Sequence, residues 1–135
     1  MTFDAIGIAG TGLTLHRKWL DAVSDNIANL NTVRPTDQSA FQARYVEAAP
    51  IDSTGANPSG VAVTGIALGS ATGLVVSDPN NPLADANGMV RRPDIDLGDQ
   101  MTQLMMAQRG YQANLAVVDR AHEAYSAALA LGRNS

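Results

Sequence analysis

Two stretches of this chain, one at each end, repeat apolar residues every seven positions, and no other feature restricts the fold as tightly. Near the N-terminus the repeat runs Ile6, Leu13, Leu20, Ile27, with Ala9, His16, Val23 and Leu30 in companion positions three residues on. A seven-residue period with a second row three residues later marks a helix that buries one narrow seam. Thr2 is placed to cap its start, and Asp4 puts a negative charge in the first turn, where the helix dipole favours it. Asn29-Leu30-Asn31-Thr32, with Pro35 beyond, reads as its end, because Asn accepts the left-handed closing conformation and Pro blocks resumption. The predicted helical segment is 1–32.

The other end repeats the device over 97–135. Leu97, Leu104, Tyr111, Val118 and Tyr125 form one row, and Met101, Gln108, Leu115, His122 and Leu129 the companion row. Asp96 with Asp99 three residues later resembles a capping arrangement, and Gly132 reads as a terminator. Gly110 sits inside the pattern at a cost of about 1 kcal/mol relative to Ala. A close approach by a neighbouring backbone would justify it.

Between the helices, over 33–96, the period changes to that of short strands. Val61–Leu68 and Leu74–Val76 read as strands, Phe41–Val46 as a further candidate, and Asp85-Ala86-Asn87-Gly88 as a tight turn leading into Met89-Val90. Ser53–Gly60, with Gly55, Asn57, Pro58 and Gly60, reads as a mobile loop. The expected fold is therefore mainly α: an antiparallel, coiled-coil-like helix pair with a small β-rich insert, too poor in large apolar residues to be robust alone.

Composition narrows the function. Aromatic residues make up only 4% of the chain, so Leu, Val, Ile, Met and Ala must fill its seams. The net charge of −4 argues against a nucleic-acid partner. That charge is unevenly spread: residues 1–32 carry two basic and three acidic groups, 33–96 four and seven, and 97–135 three of each. The ends are thus nearly neutral and could pack in many copies without strong repulsion. With no cysteine there is no disulfide framework and no thiolate chemistry. No run of about 20 apolar residues spans a membrane, and the N-terminus lacks the basic start and unbroken apolar stretch of a cleavable signal peptide.

Catalytic constellations are hard to find. His16 and His122 both fall on the seams and read as tolerated polar residues; an antiparallel pairing could bring the two rings within about a turn of each other. Gly7-Ile8-Ala9-Gly10-Thr11-Gly12 lacks both the spacing and the preceding strand of a dinucleotide loop, so close helix approach or loose first turns explain it better. Asp78-Pro79-Asn80-Asn81-Pro82 and Asp85–Gly88 offer oxygen ligands, but not at calcium-loop spacing, which leaves Asx turns as their role. Met101, Met105 and Met106 read as gap-filling core. Trp19 flanks the seam, as a contact either to another subunit or to the chain's own insert. The residues point to no enzyme, no cofactor and no metal site.

The same residues carry a resemblance. Ser24-Asp25-Asn26-Ile27-Ala28-Asn29-Leu30-Asn31-Thr32 is similar to the N-terminal signature of the bacterial flagellar rod and hook axial proteins. Asp78, Pro79, Asn80, Asn81, Pro82, Ala84, Asp85, Asn87, Gly88, Val90 and Pro93 resemble the central motif of a proximal-rod branch of that family. Ala107, Arg109, Tyr111, Ala113 and Asn114, with Leu131-Gly132-Arg133, resemble its C-terminal helix motif. Met89 stands where the family usually has an aromatic residue, and Arg91-Arg92 replace a milder pair.

The resemblance implies a structural subunit of the basal-body rod. It would polymerise through its terminal helices into a periplasm-crossing tube that transmits torque and encloses the export channel, with the insert facing outward. Implied partners are copies of itself, other rod proteins (the FlgB, FlgF, FlgG and FliE types) and the flagellar export apparatus, which takes subunits without a cleaved signal. From the residues, the expected assembly seam is Ile6, Leu13, Leu20, Val23 and Ile27 with Leu97, Met101, Leu104, Tyr111, Leu115, Val118, Tyr125 and Leu129. A lone chain buries a single seam, so its helices are expected to gain stability against neighbouring copies and to be partly disordered at both ends without them. A module that bound one helical partner would show the same stripe but form a small closed complex.

Overall fold

The computed structural model describes residues 2–51 and 59–133. Helix α1 spans Thr2–Ala28 and helix α2 spans Leu97–Arg133. Four strands lie between them: β1 (Arg44–Pro50), β2 (Val61–Leu68), β3 (Leu74–Ser77) and β4 (Met89–Arg92). The strands form two separate antiparallel pairs, β1 with β2 and β3 with β4. The architecture is the mainly helical one with a small β insert that the two repeats predict.

The helices run antiparallel, and four contacts set their register. Gly12 faces Asn114, His16 faces Gly110, Trp19 hydrogen-bonds Gln103, and Asn26 hydrogen-bonds Gln100. Fourteen residues along α1 thus match fourteen along α2. Extended to its end, this register sets Thr2 opposite the turn near residue 124. Roughly the last nine residues of α2, about 13 Å at 1.5 Å per residue, continue past the start of α1.

Both helix ends are closed by local chemistry. The Asp96 carboxylate accepts the Asp99 amide at 2.8 Å, capping α2. At the end of α1 the Asn29 side chain donates to the Asp25 carbonyl at 2.9 Å and accepts from the Thr32 hydroxyl. Gly132 does not stop α2, which runs through it to Arg133; glycine weakens a helix without forbidding it.

The β1–β2 hairpin lies along α1. Its first strand begins three residues later than Phe41–Val46 suggested and extends to Pro50. The start is fixed because Asn26 holds the Arg44 backbone in place. Toward the other end the Thr11 hydroxyl accepts the Val61 amide at 3.0 Å, tying β2 to α1. In β2 alternate residues turn toward α1, the period expected of a half-covered strand. Residues 53–58, most of the predicted loop, lie outside the described residues; Gly60 at its end has φ +111. The β3–β4 pair is anchored to the chain after α1 by an Arg34–Arg91 bridge. Arg91 also donates to the carbonyls of Thr36 and Thr72, and Arg92 to the Asn31 side chain. Of the two arginines that depart from the family pattern, Arg91 therefore ties parts of the insert together and Arg92 ties the insert to the turn after α1.

The core is thin. Among the described residues, five of the seven buried aliphatic side chains are alanines: Ala9, Ala22, Ala40, Ala43 and Ala107, with Val23 and Val90. Small residues let the backbones approach closely but remove little apolar surface from water per residue.

Candidate assembly surface

The helix pair meets through a reciprocal contact that hydrophobicity alone does not reveal. His16 Nδ1 lies 2.7 Å from the carbonyl oxygen of Gly12, one turn back on its own helix. A carbonyl can only accept, so Nδ1 carries the proton. The ring is thereby laid over Gly110 of α2, where an added Cβ would fall inside contact distance of three imidazole atoms, the farthest at 2.9 Å. Asn114 of α2 does the same in the opposite direction. Its amide donates to the Gly110 carbonyl at 2.8 Å, and its head covers Gly12, where a Cβ would meet it at 2.5 to 2.9 Å. Each helix supplies one glycine and one polar side chain bonded to that glycine's carbonyl. The neighbour that Gly110 accommodates is thus an imidazole, not a backbone. In the N-terminal glycine cluster Gly12 alone serves close packing; Gly7 and Gly10 have nothing within 4 Å of an added Cβ.

Three expectations about the seam are corrected by this register. The two histidines do not meet: His16 sits opposite Gly110, and His122 lies about three turns further along α2, exposed. Trp19, half-buried, turns to α2, a contact neither expectation named, and donates to Gln103 at 3.3 Å. Met101, Met105 and Met106 are not core, being 44%, 51% and 55% exposed.

The predicted seam residues divide between two faces. On α1, Val23 is buried and Ile6, Leu13, Leu20 and Ile27 are half-buried. On α2, Leu104, Tyr111 and Val118 are half-buried, while Leu97, Met101, Leu115, Tyr125 and Leu129 are exposed. The second inner row is Gln100, Ala107, Asn114 and Ala121, one residue before the apolar companion row. These are small or polar side chains, so a search for apolar periodicity passes over them. The apolar companion row instead forms an outward stripe.

Asn26 joins three elements at one point. Fully buried, it donates to the Arg44 carbonyl and to Gln100 Oε1, both at 2.9 Å, and accepts the Arg44 amide at 2.7 Å. Nearby, the Arg44 guanidinium pairs with Asp25 at 2.6 Å; both side chains are about half exposed, so the pair adds little stability. Of the other motif residues on α1 and its end, Ala28 is exposed, Asn29 and Thr32 close the helix, and Asn31 receives Arg92.

The central motif folds into a self-bonded turn between β3 and β4. Asp85 Oδ1 accepts the amides of Asn87 and Met89 at 2.8 and 3.0 Å, and Oδ2 accepts the Thr36 hydroxyl at 2.9 Å. Gly88 has φ +73 and packs on Pro79, so the motif's proline and glycine meet across the turn. Asp78 and Asn81 close the preceding turn side chain to side chain. Asx chemistry accounts for these acids, as their spacing suggests. Pro93 is buried; Pro82, Arg109 and Ala113 are exposed.

The Met89 amide, the Thr36 hydroxyl and the Asn87 amide all favour the charged form of Asp85, holding its pKa below the ordinary 3.8. A lowered carboxylate stabilises the fold above its unfolded pKa, and that contribution disappears as pH falls through the folded value. The turn should therefore keep its structure from neutral pH down to about 4 and loosen below that. Hydrogen exchange at the Asn87 and Met89 amides should accelerate below pH 4 beyond the intrinsic pH effect. In Asp85→Asn that pH-linked step should be absent.

Similarity to known proteins follows the same division of the chain. Residues 6–36 match the family model described as flagella basal body rod protein. Residues 86–131 match the one described as flagellar basal body rod FlgEFG protein C-terminal. The flagellar basal-body rod protein FlgC of Salmonella typhimurium is 36% identical over 130 residues, covering 93% of this chain and 94% of the relative. FlgC of Escherichia coli O157:H7 is 34% identical over 126 residues, with the same coverage. FlgC of Bacillus subtilis is 25% identical over 147 residues, covering 97% of this chain and 98% of the relative. Similarity at this level over 93% of the chain, with family models matching both ends, shows that the chain belongs to the FlgC family of flagellar basal-body rod proteins.

Proposed function

We propose that this chain, a structural subunit of the flagellar basal-body rod, polymerises through the outward stripe of its α2 helix. The observation that carries this is the stripe itself: Leu97, Met101, Leu115 and Leu129 remain 42% to 53% exposed after α1 and α2 have paired. A row of large aliphatic side chains along a solvent-facing helix is costly for a monomer and useful to an assembly. The near-neutral ends allow many copies to pack, and the thin alanine core means that contacts between subunits supply apolar burial the single chain lacks. In this reading the helix pair forms the inner wall of a tube that crosses the periplasm, encloses the export channel and carries torque. The hairpin and the central turn face outward and select neighbours. The subunit's partners are its own copies and other rod proteins, of the FlgB, FlgF, FlgG and FliE types. It reaches the rod through the flagellar export apparatus.

The test is a charge on the stripe. Leu115→Asp should leave the isolated subunit folded, with a helical circular dichroism signal close to the parent's, since Leu115 touches water already. In cells lacking the parent subunit it should be absent from purified basal bodies and leave the cells non-motile. Normal incorporation of Leu115→Asp would remove the stripe from the assembly. A helical module serving one partner predicts a discrete small complex in place of a rod.

A further inference from the structure

Asn87-Gly88 is the single Asn-Gly pair in the chain, and the fold requires its glycine. Gly88 has φ +73, and a Cβ there would lie 2.9 Å from the Cβ of Pro79, so any other residue would be strained. The same missing Cβ makes the bond after Asn87 chemically vulnerable, because nothing shields the Gly88 nitrogen from the asparagine side chain. In an unfolded chain that nitrogen, once deprotonated, attacks Asn87 Cγ. A new C–N bond forms, the bond from Cγ to the side-chain nitrogen breaks, and that nitrogen leaves as ammonia with the displaced proton. Water then opens the cyclic imide at either carbonyl, giving aspartate or isoaspartate at position 87. Amide and water become acid and ammonia, and nothing is oxidised or reduced.

We propose that Asn87 is a site of spontaneous deamidation that is open in the unfolded chain and shut by the turn built on Asp85. Ring closure needs the Gly88 nitrogen to be free and aimed at Asn87 Cγ. In the fold it is neither. The Gly88 amide donates to the Asp85 carbonyl at 2.9 Å, which opposes loss of its proton and fixes its direction. On one side the Asn87 amide is held on Asp85 Oδ1 at 2.8 Å, and on the other the Gly88 carbonyl accepts the Asp78 amide at 2.9 Å. The Asp85 carboxylate is itself fixed by the Met89 amide and the Thr36 hydroxyl. Asn87 is exposed, so the water needed for the second step is at hand, and the protection is a matter of geometry.

The two products differ in what they do to the fold. Aspartate keeps the backbone length. Isoaspartate routes the main chain through Cβ and so adds a carbon to the backbone between Asp85 and Met89. Those two residues are bonded to each other, the Asp85 amide donating to the Met89 carbonyl at 2.9 Å, and the β3–β4 pairing begins there with Ser77 opposite Met89. A longer backbone cannot keep the Gly88 carbonyl on Asp78 and the Met89 carbonyl on Asp85 while holding that register. The reaction therefore marks copies that stay unfolded, and the isoaspartate form cannot rebuild the turn.

The experiment follows the full-length protein at mildly alkaline pH, in buffer and in urea, by peptide mapping that separates asparagine, aspartate and isoaspartate at position 87. The parent should react at least about tenfold more slowly in buffer than in urea, because the reaction has to wait for local opening. In Asp85→Ala the same ratio should fall below about threefold, with the helical circular dichroism signal retained. Taking the ratio within each protein cancels any effect of residue 85 on the intrinsic rate. Equal rates for the parent in buffer and in urea overturn the proposal, and so does full protection in Asp85→Ala with its helices intact. If Asp85→Ala loses its helices, Thr36→Val decides, since it removes only the hydroxyl bonded to Asp85 Oδ2. Protection below the parent's then supports the Asp85 turn as the guard, and protection equal to the parent's overturns it. The isoaspartate form, purified and returned to buffer, should exchange its Met89 amide faster than the parent. Parent-like protection at that amide would overturn the claim that marked copies cannot rebuild the turn.

Discussion

Asn26→Ala is expected to destabilise the subunit by about 3 kcal/mol, more than any other single truncation on α1. The reason is the number of buried groups that one amide satisfies. Its two N–H donors reach the Arg44 carbonyl and Gln100 Oε1, and its oxygen takes the Arg44 amide. Removing it leaves a strand amide, a strand carbonyl and a glutamine oxygen without these partners at a place with no exposed surface. Each orphaned buried group costs about 1–3 kcal/mol, and partial relaxation brings the total to the figure above. Asn26→Asp should be no milder. It keeps the acceptor for the Arg44 amide but sets a buried carboxylate against two oxygens it cannot donate to. Chemical denaturation should show the loss in both variants. Circular dichroism should show α1 retained but the hairpin less ordered, since β1 loses the contact that sets where it starts. If Asn26→Ala unfolds within about 1 kcal/mol of the parent, water replaces the side chain there and the three-way junction is not a stability element.

The same junction shows what sequence reading could and could not reach. The seven-residue rows gave both helices, and strand alternation gave β2 to the residue. Those signals work because burial of large apolar side chains leaves a period, and a period survives without knowledge of the partner. Asn26 was noticeable as part of a signature, but a polar residue carries no period that assigns it a contact. The inner row of α2 escapes for the same reason: Gln100, Ala107, Asn114 and Ala121 are small or polar, and the apolar row beside them draws the reading one residue too far. The start of β1 was misjudged because Asn26, eighteen residues away, fixes it. Local propensity contains no trace of such a tie. An apolar row that does not face its own partner helix is left free to face another surface.

Gly110→Ala should cost the helix pair about 2 kcal/mol, although the substitution by itself favours a helix by about 1 kcal/mol. The methyl group would enter space occupied by the His16 imidazole, inside contact distance of three ring atoms. His16 cannot simply swing aside, because its Nδ1 proton is committed to the Gly12 carbonyl and Trp19 packs beside it, with ring centroids 6.0 Å apart. Relief requires either breaking that hydrogen bond or moving the helices apart, and separation also opens the matching Gly12–Asn114 contact. The sign should reverse once the ring is gone. His16→Ala alone loses the imidazole's packing and its hydrogen bond, whereas His16→Ala with Gly110→Ala refills part of the vacated space and gains helix propensity. The double variant is therefore expected to be more stable than His16→Ala alone by about 1 kcal/mol, giving a coupling between the two sites of about 3 kcal/mol. Thermal or urea unfolding of the four proteins closes the cycle. Additive changes would mean that the ring yields to the methyl without strain, and that Gly110 is tolerated in α2 for a reason other than His16.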